Sequence, residues 1–129
     1  RVIQIFLEKS FQKDKFFIKE DGKEKLDFTY IKDFCDGIYK IISNKKKAAN
    51  QTFNLTYGNA KSLLNVKNLI LSRFKSQKIT HVKRDKLMAE RGTLSISKAR
   101  KLLKYKPKFD LSRGFERYYK WYQKIYATK

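Results

Sequence analysis

The chain has 129 residues, 41% of them hydrophobic and 15% aromatic, and a net charge of +20 from 32 basic and 12 acidic side chains. That size and apolar content suit one folded domain with a modest core and exclude a disordered tail. No run of about 18 apolar residues is present to cross a membrane. A single cysteine, Cys35, excludes an internal disulfide and points to a reduced, cytoplasmic setting. Lys outnumbers Arg 25 to 7 and is spread along the chain. Such an excess fits a solvated surface better than a dedicated groove, because Arg is the residue that grips phosphates bidentately. A basic nucleic-acid-binding module is the alternative that the charge keeps open.

The chain begins Arg-Val-Ile-Gln, with neither Met nor a signal-peptide pattern, so Arg1 is expected to be a cut or processed end. Val2, Ile3, Phe6, Leu7 and Phe11 give residues 1–13 a helical apolar stripe. Phe16-Phe17-Ile18 reads as a strand, Asp21-Gly22 as a turn, and Leu26 to Ile31 as a second strand alternating in polarity, so the three together predict a hairpin. Asp33 stands where a helix N-cap is wanted. It is expected to open a helix to Ser43 whose inward face is Phe34, Ile38, Ile41 and Ile42, with Cys35 a small buried thiol beside it. Asn44-Lys45-Lys46-Lys47 then reads as a charged loop.

Thr52 to Gly58 reads as a strand running into a Gly turn. Ser62 is placed to cap a helix with Leu63, Val66, Leu69, Ile70 and Phe74 on one face. Ile79 to Val82 is a short strand. It carries His81, the only histidine, read as a strand or surface residue, since a metal needs more ligands than one. Lys83 to Arg91 is polar and irregular, and Leu94-Ser95-Ile96 extended. Ser97 caps a helix to Leu103, and Pro107 breaks the chain before Asp110 caps the last helix. Leu111, Phe115, Tyr118, Tyr122 and Ile125 form that helix's stripe with Trp121 flanking it, a core pattern more than a base-stacking platform.

Short strands alternating with helices predict a small mixed α/β unit over 1–129. The sequence holds no G-x-G-x-x-G loop, no P-loop and no His-Cys cluster, which leaves no dinucleotide cradle and no zinc site. Tyr57 and Lys61 have Y-x-x-x-K spacing, but they span a Gly turn and so cannot share the helix face that Tyr/Lys proton chemistry needs.

Leu26-Asp27-Phe28-Thr29-Tyr30-Ile31-Lys32-Asp33 resembles the R-D-F-T-Y-V-x-D segment of the NAD-dependent epimerase/dehydratase family, the extended short-chain dehydrogenases that act on nucleotide sugars. Further segments resemble that family in the same order. Phe53 to Gly58 resembles F-N-x-G-x-G, Arg91 to Ala99 resembles R-G-x-x-x-D-x-S-K-A, Leu102 to Pro107 resembles L-L-G-Y-x-P, and Leu111 to Phe115 resembles L-x-x-G-L.

The resemblance implies the C-terminal substrate-binding lobe of such an enzyme, a single domain over 1–129. NAD and the catalytic Tyr and Lys would then belong to a Rossmann domain upstream of Arg1. It implies a nucleotide-diphosphate sugar as partner, no membrane partner, and a possible homodimer of the intact enzyme. Catalytic and metal residues are not expected in the chain itself. Substrate binding is expected of Arg91, Lys25, Phe28 and Arg84, with Arg91 at a family position near the diphosphate. The chain departs from the pattern at Leu26, where the family carries a diphosphate-contacting Arg, and Lys25 beside it is the candidate replacement. Thr56, Ser95 and Lys104 replace a Gly, an Asp and a Gly.

Overall fold

The computed structural model describes residues 2–127 apart from 20, 84–86, 88 and 90. Phe16 and Ile18 alternate with Phe17 and Lys19, which buries one side of β1 (Phe16–Lys19). Its partner is not the segment across the turn. β1 pairs in parallel with β4 (Ile79–Val82), Phe16 against Ile79 and Lys19 against Val82. The expected hairpin is therefore absent, although the turn itself forms: Gly22 has φ +72 and its N–H donates to the Lys19 carbonyl. The chain leaving that turn forms only a two-residue strand, β2 (Lys25–Leu26), antiparallel to β3 (Lys61–Ser62). Gly22 also accepts from the Leu64 N–H, so the turn is fastened sideways to the helix after β3 and cannot fold β2 back onto β1.

Three helices cover these strands. α1 (Val2–Phe11) ends with Lys13 in the left-handed region (φ 56), where the Asp14 N–H reaches the Lys9 carbonyl in a Schellman closure. α4 (Leu63–Leu71) starts in a capping box: Ser62 Oγ accepts from the Asn65 N–H, and Asn65 Oδ1 accepts from the Ser62 N–H at 3.0 Å. α6 (Leu111–Ala127) is capped by Asp110, whose carboxylate accepts from the Arg113 N–H at 2.8 Å. Phe6, Leu7, Phe16, Ile18, Val66, Ile70 and Phe115 meet in the main core, with the Phe6 and Phe16 rings stacked at 4.1 Å. Of the α6 stripe, Leu111, Phe115 and Tyr122 are buried, whereas Ile125 and the flanking Trp121 lie exposed.

α2 (Ile31–Ser43) differs most from its sequence expectation. It starts two residues before Asp33, with Tyr30 at the N-cap position and no side-chain cap. Asp33 is instead buried inside the first turn, where its two carboxylate oxygens accept from the Lys108 and Phe109 N–H groups, both at 2.9 Å. The buried side of α2 is Asp33 and Gly37, with Leu55 so close that a Cβ on Gly37 would stand 2.8 Å from it. Phe34, Ile38 and Ile42, expected inside, are exposed together with Ile31, Tyr39 and Cys35. After α2 the expected loop is a short helix, α3 (Lys45–Ala48).

Residues 52–58 form no strand. From Thr52 to Tyr57 no backbone hydrogen bond to another backbone group is made among the described residues, because no strand edge lies alongside. α5 (Ser97–Leu103) begins at Ser97 itself, which is therefore not its cap. Among the described residues no helix is long and apolar enough to cross a membrane.

A second, smaller core joins Ile96, Ala99 and Tyr105, with Phe53 and Leu55 against it. The Tyr105 ring is fully buried and its hydroxyl has no hydrogen-bond partner among the described residues. Burial, and after it the nearby carboxylates Asp33, Asp36 and Asp27, push that phenol up to about 12. The unfolded chain loses the same proton near 10.0. The Tyr105 contribution to stability is therefore intact below pH 10.0 and is lost as pH rises through about 12. Tyr105→Phe removes the orphan hydroxyl, so it is expected to raise stability by about 1 kcal/mol at neutral pH and to flatten the alkaline loss. Denaturant midpoints measured by circular dichroism at pH 7 and across the alkaline range check both.

Candidate functional site

The segment after β2 turns its side chains toward the start of α1 and the inner face of α6. Between them lies a cleft of about 650 Å³. Leu26, Phe28 and Tyr30 line one wall, Val2 and Ile3 a second, and Gly114 and Tyr118 of α6 a third, while exposed Arg91 stands at the rim. Phe109 closes one end, its ring 4.7 Å from that of Tyr30. Gly114 keeps this wall thin: a Cβ there would come into ordinary contact with the Tyr30 ring at 3.5 Å. Burial, and after it the Glu8 carboxylate, raise the Tyr118 phenol above its usual pKa, so Tyr118 stays a neutral hydroxyl at physiological pH.

Two of the four residues expected to bind substrate therefore meet. Phe28 and Arg91 line one cleft although 62 residues lie between them in the sequence. Lys25 is not among the lining residues: it is exposed on β2 opposite Ser62, one residue away from the cleft-lining Leu26. Arg84 lies outside the described residues. Leu26 gives the cleft an apolar side chain where the resembling family has Arg. Tyr57 and Lys61 sit on a loop and on β3, not on one helix face.

Asp27 organises the rim, a role that its residue type alone does not reveal. Its Oδ1 accepts from the Gly58 N–H at 3.1 Å and its Oδ2 from the Leu94 N–H at 3.3 Å. One carboxylate so fastens the 56–60 loop and the segment that carries Arg91 to the cleft wall. The Ala60 N–H donates to Thr93 Oγ1 at 2.9 Å and ties the same two segments again. Gly58 is required twice over, by φ +77 and by Ile96, whose Cδ1 would lie 2.9 Å from an added Cβ. Gly58→Ala is expected to cost about 2 kcal/mol, left-handed backbone and crowding together, read as a lowered urea midpoint.

The 26–33 motif is the signal by which both Asp27 and Asp33 could have been found, since they are its two acids. Asp33 acts one layer behind the cleft. By holding the Lys108 and Phe109 N–H groups it sets the position of the ring that closes the cleft's end.

No family model matches the chain. An uncharacterized protein of Methanocaldococcus jannaschii is 33% identical over 104 residues, which is 78% of this chain and 31% of that protein. Among solved structures, an epimerase of Methanothermobacter thermautotrophicus superposes with a TM-score of 0.91 at 25% identity, over 99% of this chain and 38% of its own. The UDP-glucuronic acid 4-epimerase of Bacillus cereus, solved with UDP-glucuronic acid and NAD, superposes with a TM-score of 0.87 at 25% identity, over 97% of this chain and 40% of its own. The chain thus spans between 31% and 40% of the length of these proteins. Fold and motif order agree, and the chain matches a C-terminal part of the NAD-dependent epimerases and dehydratases of the short-chain dehydrogenase type.

Proposed function

We propose that this chain is the substrate-binding portion of an NAD-dependent nucleotide-sugar epimerase or dehydratase, and that the cleft between the 26–31 segment and α6 holds the nucleotide sugar. The observation that carries this reading is the convergence of Phe28 and Arg91 on one cleft of about 650 Å³. A guanidinium at an open rim suits a diphosphate, which it can grip through two parallel N–H donors. Phe28, Tyr30 and Phe109 offer flat apolar faces to a base or sugar ring, and the Tyr118 hydroxyl a neutral donor. Support also comes from the Bacillus cereus epimerase, a structural neighbour described with UDP-glucuronic acid.

The residues present do not fit NAD. β1 of the parallel pair runs into Asp21-Gly22 and on to β2, so no glycine-rich turn leads from it into a helix to receive a pyrophosphate. NAD would be held by a further, Rossmann-type portion, and the hydride and proton chemistry would reside there. The exposed apolar face of α2, together with the unpaired backbone of 52–57, supports this division. Ile31, Ile38 and Ile42 recur at helical spacing, and Leu55 of the unpaired segment packs directly against α2 at Gly37. A sheet offering one more edge would pair the free backbone groups and cover the helix at the same time.

Calorimetric titration of the intact protein with UDP-, dTDP-, GDP- and ADP-sugars tests the reading. Saturable binding of at least one, competed by the matching nucleoside diphosphate, is expected. No heat of binding across the panel would overturn it.

A further inference from the structure

On the side of α6 away from the cleft, a groove of about 910 Å³ runs between α6 and the C-terminal end of α4. Arg73, Lys108, Arg113, Arg117 and Lys120 line it, against one carboxylate, Glu116. Three of the chain's seven arginines therefore gather here, whereas the lysines are scattered along the whole sequence. Glu116 is occupied by Arg73 and, at 3.5 Å, by Lys120. Lys108, Arg113 and Arg117 have no carboxylate partner among the described residues.

The backbone that carries Lys108 and Arg113 is anchored, and the Arg117 guanidinium itself is stacked. Asp33 accepts from the Lys108 backbone N–H, Asp110 accepts from the Arg113 backbone N–H, and the Arg117 guanidinium lies 4.8 Å from the Phe109 ring centre. Arg113 and Arg117 are one helical turn apart, with Cβ atoms about 5–6 Å from one another, so they form a short row and not a single point of charge. The groove continues past Leu69, Ser72 and Ser112 into a second cavity of about 470 Å³ lined by Tyr57, Asn59, Asn65 and Asn68, together with one cation, Lys61, and one carboxylate, Asp110.

We propose that this continuous groove binds a single-stranded sugar-phosphate polymer, separately from the nucleotide-sugar cleft. The guanidinium row would take consecutive phosphates, and the amide-lined extension with Tyr57 would take the adjoining sugar and base by hydrogen bonds and stacking. Ionic neutralisation by neighbouring arginines beside amide donors and a tyrosine ring is the pattern that such a strand needs, whereas scattered lysines would give only a diffuse attraction.

Fluorescence anisotropy of labelled 12-nucleotide RNA and DNA strands with the full-length protein tests it. With three unpaired cations engaged, log affinity should fall against log salt with a slope of about −2, so that binding weakens at least tenfold between about 50 and 200 mM salt. The pair Arg113→Ala and Arg117→Ala should weaken binding about tenfold or more and reduce the slope by about 1.4. Arg113→Lys with Arg117→Lys should restore the slope, which separates charge from any change in folding. The pair Lys45→Ala and Lys46→Ala on α3 removes the same charge elsewhere and should leave affinity within about twofold. A preference between RNA and DNA names the polymer, and binding of either strand with this dependence supports the groove. Three results would overturn the proposal: no binding of either strand at low salt, an equal loss in the α3 variant, or tighter capture by phosphatidylserine vesicles than by either strand.

Discussion

Replacing Asp33 with Ala is expected to lower the unfolding free energy by about 3–5 kcal/mol. Asp33 is 4% exposed and its carboxylate accepts two backbone N–H groups from a segment far along the chain, which makes it the polar tie between α2 and the entry to α6. A hydrogen bond to an ionised group contributes about 1.5–3 kcal/mol, and truncation also leaves donors of the 108–109 segment without their partner. Against a total stability of about 5–15 kcal/mol this is a large fraction. Asp33→Asn keeps one acceptor oxygen and should recover about half of the loss. Chemical denaturation followed by circular dichroism measures both, and a loss below about 1 kcal/mol for Asp33→Ala would show that the tie is dispensable. The same variant should loosen Phe109, and with it both the end of the cleft and the stacking platform under Arg117.

The second large effect concerns binding. Arg91→Ala should weaken nucleotide-sugar affinity by about 10- to 150-fold, the equivalent of a charge-assisted contact of about 1.5–3 kcal/mol. Arg91 is exposed at the rim and its segment is held by Asp27 through Leu94, so the truncation should leave stability unchanged within about 0.5 kcal/mol. Arg91→Lys keeps the charge but loses the bidentate fork, and should fall between the two. Calorimetry on the three proteins gives the ranking. Equal affinities would remove Arg91 from the diphosphate contact. Lys25→Ala serves as the internal comparison: Lys25 is exposed and does not line the cleft, and its loss should change affinity by less than about threefold.

The elements that were legible in the sequence are those specified locally. α1, α4 and α6 each combine an apolar stripe at helical spacing with an end signal, and Ser62 and Asp110 cap where their side chains can reach the first turn. The hairpin failed because pairing is a long-range choice. Phe16 and Ile18 specify a buried strand face but not its neighbour, and Ile79 to Val82 supplies a parallel partner that nothing near the Asp21-Gly22 turn announces. Asp33 was conspicuous as an acid before a helix, yet its acceptor oxygens serve residues 108 and 109, which only the fold brings within reach.

The face of α2 shows the other limit of local patterning. Periodicity reveals that Phe34, Ile38 and Ile42 share one side, but not what covers that side. The β-rich composition of 52–57 likewise indicates a strand without supplying an edge. In the site, Phe28 and Arg91 could be named from motifs. Their meeting, and the part that Asp27 plays in it, depend on two hydrogen bonds between segments distant in sequence. The clustering of Arg73, Arg113 and Arg117 was hidden for the same reason, because Arg73 lies just past α4, 40 positions before Arg113.

The most direct measurement is a crystal structure of the intact protein grown with the tightest-binding nucleotide sugar from the calorimetric panel. The account predicts density in the cleft between the 26–31 segment and α6, with the diphosphate within hydrogen-bond reach of Arg91 and a ring against Phe28. A nucleotide sugar bound elsewhere, with Phe28 and Arg91 facing an empty cleft at saturating ligand, would contradict it.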